Sequence, residues 1–231
     1  MFYFGPEWIL LMILSTVLGL VTQGYVRSTY GKWSRVPLMS GQSGAQVARR
    51  ILDADGLASV PVDQVAGSLT DHYDPRNKTL SLSQAVYQGT SVASAGVAAH
   101  EAGHALQDAQ GYAFGRIRSA LVPVANFGSM ASWVLIAIGF LVGVATSAGA
   151  GLVWLGVMFF GAAVLFQFVT LPVEFDASRR ALAQLESVGG LPSEQVAGAR
   201  SVLTAAALTY VAAALIAALQ LLYYIGLARR D

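Results

Sequence analysis

The chain has 231 residues, 55% hydrophobic and only 12% charged, against roughly 25% charge in an ordinary soluble domain. That balance excludes a typical water-soluble globular protein and points to the membrane. A formal net charge of +1 offers no basis for nucleic-acid binding, and the absence of cysteine excludes a disulfide framework and any thiolate metal site.

In chain order, the apolar stretches 8–26, 119–173 and 201–228 hold no charge. A helix crossing the hydrocarbon core needs about 20 mostly apolar residues, so the first and last stretches predict one crossing each and the middle one two. The first reads as a retained anchor and not a cleaved signal peptide, because its leading segment carries Glu7 and no Lys or Arg, and no A-x-A-like site follows. After it, SRVPLMSGQ (34–42) is a linker. In SGAQVARRILDADG (43–56), Ser43 and Gln46 fit a capping box, Val47, Ile51 and Leu52 recur at helical spacing, and Gly56 is placed to stop the helix. SVPVDQV (59–65) and NKTLSLS (77–83) alternate as strands do, with Leu80 and Leu82 on one face and Thr79, Ser81 and Ser83 on the other. The intervening TDHYDPRN (70–77) reads as turn, since Asp74 before Pro75 disfavours helix. From 91 to about 110 the chain is alanine-rich and free of proline, which predicts a helix whose Ala95, Gly96, Ala99 and Gly103 allow close neighbours. The small residues TSAGAG (146–151) mark the turn of the membrane hairpin, and Pro172 ends the third span and opens a new helix bearing Glu174 and Ser178 on one face.

The chain thus divides into an anchor (1–26), a polar segment (27–118), a membrane hairpin (119–173), a second polar segment (174–200) and a last membrane helix (201–231). Twelve of the basic residues fall in the polar segments: Arg27, Lys32, Arg35, Arg49, Arg50, Arg76, Lys78, Arg116, Arg118, Arg179, Arg180 and Arg200. Only Arg229 and Arg230 fall on the other side, which predicts that the polar segments face the cytosol.

Within the predicted 91–110 helix stands His100-Glu101-Ala102-Gly103-His104. Positions i and i+4 lie about 40° apart around a helix, so the two imidazoles can grip one ion while the glutamate reaches a water beside it. This is H-E-x-x-H, two zinc ligands plus a general base. A pair of unrelated surface or core histidines is the bland alternative, and it is disfavoured because the chain has only 3 histidines. A catalytic zinc takes three protein ligands and keeps a position for water. With no cysteine, the third is His72 or a carboxylate. Glu174 is favoured because a membrane hairpin returns the chain to the face it left; Asp176 is the next carboxylate to consider. Asp108, one turn after His104, fits a solvated helix position better than a ligand. His72 either donates to a transition-state oxyanion or braces a turn.

The segments SGAQVARRILDADG, LTDHYDPRNKTLSLS, VAAHEAGHALQ and LPVEFDASRRA, in that order among the hydrophobic spans, resemble the YugP-type membrane zinc metallopeptidases of bacteria over nearly the whole chain. More distantly, the chain is similar to HtpX-like and CAAX-prenyl proteases. The resemblance implies a mainly α membrane protein with a small cytosolic α+β zincin-like domain, one Zn2+ held by His100, His104 and Glu174, and Glu101 as catalytic base. The HtpX-like pattern has an aspartate four residues after the glutamate ligand, where this chain has Ser178 and carries Asp176 instead; both are candidates for supporting the site. The YugP-type family is largely defined by sequence, so the resemblance supplies an activity class and not a substrate. The resulting expectation is an endopeptidase of the bacterial cytoplasmic membrane, active at the cytosolic face on membrane or misfolded proteins, with the strand around Leu80 offering an edge to an extended peptide. The rival expectations are a metal-stabilised adaptor or scaffold, which a four-ligand site would favour, and a divalent-metal transporter, which the lack of ionisable residues in the spans disfavours.

Overall fold

A computed structural model describes residues 5–229; Arg230, counted above in the charge balance, and residues 1–4 lie outside the described residues. The chain is mainly helical. In order it forms α1 (Pro6–Trp33), α2 (Gly44–Ala54), β1 (Val62–Val65), β2 (His72–Asp74), β3 (Thr79–Ser83), α3 (Gln84–Tyr87), α4 (Val92–Ala109), α5 (Ala113–Val142), α6 (Ser147–Ser187) and α7 (Ser193–Ala228). Four of these, α1, α5, α6 and α7, are long and apolar enough to cross a membrane.

The chain separates into two compact units. The first comprises 1–21, 116–172 and 209–231. Its interior is built by Ile136, Val153, Val157, Phe160, Val164 and Tyr224, with the Trp8 ring 5.2 Å from that of Tyr223. Large apolar side chains such as Leu10, Met130 and Leu141 stay exposed, as lipid-facing residues do and as the surface of a soluble protein does not. The turn between α5 and α6 falls at 143–146 and not at the expected 146–151. Gly143, at φ +96°, takes the left-handed conformation that ends a helix, and the Gly149 amide donates to Thr146 Oγ1 at 3.0 Å, capping the next one. Gly149 is already helical, and a Cβ on Gly139 would lie 2.8 Å from its carbonyl oxygen. The small-residue run therefore serves close packing of two helices more than chain reversal.

Pro172 does not open a new helix; α6 continues through it to Ser187. Proline removes one amide donor and crowds one carbonyl, and a helix of 41 residues absorbs that local loss.

The second unit comprises 22–115 and 173–208. Its α2 begins with the capping box expected from the sequence: the Gln46 amide donates to Ser43 Oγ at 3.3 Å and the Ser43 amide donates to Gln46 Oε1 at 2.8 Å. Val47, Ile51 and Leu52 are buried, and Gly56 follows the helix at φ +75°.

The sheet has the order β1-β3-β2. β1 runs parallel to β3, with Val62 opposite Leu80, and β2 runs antiparallel to it, with His72 opposite Ser81. Part of the segment read as turn is therefore strand. The turn itself is real but shorter: the Arg76 amide donates to Asp74 Oδ1 at 3.0 Å, and Lys78 adopts φ +54° before β3 begins. β3 is central and both its neighbours are protein strands, so the strand around Leu80 is no edge for a peptide; the sheet's edges are β1 and β2. Nor does β3 have a solvated face, since Ser81 and Ser83 are buried along with Leu80 and Leu82. Ser83 satisfies both its amide and its hydroxyl on the Asp71 carboxylate.

α4 is buried along most of its length among α2, the sheet, α6 and α7. Replacing Ser43 by alanine removes one side of the α2 capping box and is expected to destabilise this unit by about 1 kcal/mol, measured as a lower unfolding midpoint in detergent with unchanged metal content.

Candidate metal centre

The motif helix α4 is capped by Ser91, whose hydroxyl accepts from the Ser94 amide at 3.1 Å. Its small residues determine what can approach it. A Cβ on Gly103 would meet the Ala177 carbonyl oxygen at 2.6 Å, so α4 and α6 touch backbone to backbone at this point and glycine alone fits. The same approach places the α6 residues Glu174 and Ser178, three on one side of Ala177 and one on the other, against the histidines of α4.

His100 and His104 stack edge to face with ring centroids 4.7 Å apart. Glu174 is 3% exposed, and its Oε2 lies 3.2 Å from His100 Nε2 and 3.6 Å from His104 Nε2. One ligand atom from each of the three residues falls within 4.8 Å of the others. Burial alone would raise the Glu174 carboxyl, but hydrogen bonds and charge from His100 and His104 outweigh it and hold the group far below the usual carboxylate range. At His104 burial works downward, yet hydrogen bonding to Glu174 and the charges of Glu101 and Glu174 shift the imidazole upward overall. Both shifts express one condition: the buried Glu174 carboxylate lies against imidazole nitrogens with which it pairs. Two imidazole nitrogens and one carboxylate oxygen, with no thiolate, form a donor set suited to zinc.

Each histidine is held from behind. Ser178 Oγ lies 3.2 Å from His100 Nδ1, and His104 Nδ1 donates to Gln107 Oε1 at 3.0 Å. Gln107, itself buried, donates through Nε2 to the Val173 carbonyl at 2.8 Å and to Asp176 Oδ2 at 2.9 Å. Arg179 and Arg180 both donate to the Asp176 carboxylate. Burial would raise that carboxyl, but the bonds from Gln107, Arg180 and Arg179 bring it below its ordinary value. Arg180 also donates to Gln110 Oε1 and lies 5.9 Å over the Tyr112 ring, so it braces the end of α4 as well as carrying charge. Glu101 is 8% exposed, and among the described residues its carboxylate makes no hydrogen bond or ion pair.

Two candidates lie outside this cluster. His72 is exposed on β2, its Nδ1 donates to the Thr70 carbonyl at 2.8 Å, and it is not among the residues whose ligand atoms converge. Asp108 accepts from the Tyr73 hydroxyl at 2.7 Å and from Lys78, tying β2 and its turn to α4. The residue that sequence reading missed is Gln107. Its spacing of three from His104 on the same helix is the available signal, but a lone glutamine carries no chemistry until its partners are known.

A family model described as "Putative neutral zinc metallopeptidase" matches residues 8–229. The chain belongs to this neutral zinc metallopeptidase family. It is also 44% identical over 218 residues to "Putative membrane protease YugP" of Bacillus subtilis (strain 168), covering 94% of this chain and 95% of the relative. No solved structure matches it. Membership in a zinc-peptidase family implies zinc as the metal, and the cluster of His100, His104 and Glu174 is where this chain offers it ligands. The relative's description and the four apolar helices together mark a membrane protein.

Because Gly103 sets the spacing between α4 and α6, Gly103→Ala is expected to destabilise the polar unit by about 1–3 kcal/mol and to lower zinc content. Thermal unfolding in detergent and elemental analysis of the purified protein check both effects.

Proposed function

We propose that this protein is a zinc-dependent endopeptidase of a bacterial cytoplasmic membrane, cleaving peptide bonds of membrane-inserted or misfolded proteins on the cytosolic side. The observation that carries the reading is the convergence of two α4 imidazoles and one buried α6 carboxylate beside a glutamate whose carboxylate makes no hydrogen bond or ion pair among the described residues. His100, His104 and Glu174 hold the metal. Bound there, zinc supplies Lewis acidity to a water and to the scissile carbonyl. Glu101 takes the attacking water's proton and returns it to the leaving amine, a role that its uncommitted, mostly buried carboxylate suits. Ser178 and Gln107 keep the two rings from turning away.

Among the described residues three ligand atoms converge and not four, which supports a site that retains a position for water over a closed structural site. That favours the enzyme over the adaptor. On this reading the polar segments 27–118 and 174–200 form the cytosolic catalytic part, and 1–26, 119–173 and 201–231 hold it at the bilayer. The cytosolic assignment rests on the twelve basic residues of the polar segments against two elsewhere.

Glu101→Gln is expected to keep zinc bound and to slow cleavage of an unfolded or membrane-inserted protein by about 10²–10⁴-fold; proteolysis at the wild-type rate would remove Glu101 from the mechanism. Glu174→Ala is expected to lose zinc on dialysis, and full zinc retention would reassign the third ligand. A topology reporter fused at the C-terminus should report the extracytosolic side, and a cytosolic signal there would overturn the charge argument.

A further inference from the structure

An imidazole coordinates a metal only through its unprotonated ring nitrogen, so a neutral histidine is a competent ligand in one of its two tautomers and not in the other. In His104 the nitrogen facing Glu174 is Nε2, at 3.6 Å. The proton must then sit on Nδ1, and Nδ1 faces the side-chain amide of Gln107 at 3.0 Å. An amide can be turned end for end. With its NH2 toward His104 it would demand the opposite tautomer and leave Nε2 blocked by a hydrogen.

The other end of the amide decides its sense. It faces the Val173 backbone carbonyl at 2.8 Å and Asp176 Oδ2 at 2.9 Å. A backbone carbonyl has no hydrogen to give, and the Asp176 carboxylate is occupied by donors from Arg179 and Arg180, which are never acceptors. Reversing Gln107 would aim its oxygen at two other acceptors. Since the side chain is 3% exposed, no solvent relieves that clash. The partner of His100 is different in kind, because the Ser178 hydroxyl at 3.2 Å can give or accept and so imposes no tautomer.

We infer that Gln107 is a positioning residue that sets the proton of His104 on Nδ1, with the Val173 carbonyl and the Asp176–arginine cluster fixing the direction of its amide. The inference rests on the proposed role of His104 as a ligand. The α6 helix thus supplies a ligand in Glu174 and, two residues on, the acceptor that orients the ligand of another helix.

The test uses the full-length protein in detergent, zinc-loaded and labelled with 15N-histidine. Gln107→Met keeps length and removes both polar ends. Zinc affinity, read by competition with a chelator, is expected to fall about ten- to hundred-fold, and the exchange-protected His104 Nδ1–H resonance of the wild type is expected to disappear. Wild-type zinc affinity in this variant would overturn the inference, and so would weakened affinity with the Nδ1–H resonance intact, since packing alone would then account for Gln107. If Gln107→Met does not fold, Gln107→Leu removes the same polar ends with a different shape; weakened zinc with a lost His104 Nδ1–H resonance supports the inference, and a retained resonance overturns it. A wild-type protein without zinc affinity would overturn the ligand reading itself, which the variant outcomes do not touch.

Discussion

One backbone contact governs the polar unit: α4 lies against α6 at Gly103, where a methyl group would stand 2.6 Å from the Ala177 carbonyl oxygen. Helices with side chains at the contact pack with axes about 8–10 Å apart; glycine lets them come nearer, and short side chains such as glutamate and serine then span the gap. Ala177 and Ala181 are buried on the same face of α6, so the contact continues along a smooth surface. Glu174 and Ser178 reach the histidines because nothing larger than alanine intervenes.

Closeness brings a penalty, since it buries charge. Glu174 and Asp176 are 3% and 7% exposed, and an unpaired carboxylate in such surroundings is costly. The two are handled differently. Asp176 is fully engaged by Gln107 and two arginines, a structural solution. Glu174 is matched to imidazole nitrogens, which can equally face a cation. Glu101 makes no such bond among the described residues. On the proposed reading, this division separates the group that braces the site, the group that binds, and the group left for proton transfer.

The fold's departures from sequence expectation share a cause. Pro172, the TSAGAG run and the segment before Asp74-Pro75 each carry strong local signals for interruption or turn, and in each the structure continues a regular element past the signal or alongside it. α6 absorbs a proline, α6 also starts within the small-residue run, and β2 forms immediately before a real turn. Local propensity is worth fractions of a kcal/mol per residue, whereas pairing with β3 or packing of α5 on α6 acts over many residues together. Serines of β3 that alternate as if facing water are buried for the same reason: alternation reports side-chain direction and not what lies beyond it.

From the sequence alone came the features that depend on one residue's nature or on spacing along one helix: four apolar spans, the α2 capping box, the strand of Leu80 and Leu82, and two histidines with a glutamate on a single helix. Glu174 was within reach because a hairpin must return its chain. Only the tertiary structure decided that β3 is central, that His72 lies apart from the cluster, that Ser178 contacts one of its histidines, and that Gln107 links the other to Asp176. The last two join residues 66 to 78 positions apart in the chain, and those hydrogen-bond partners exist only after α4 and α6 have met.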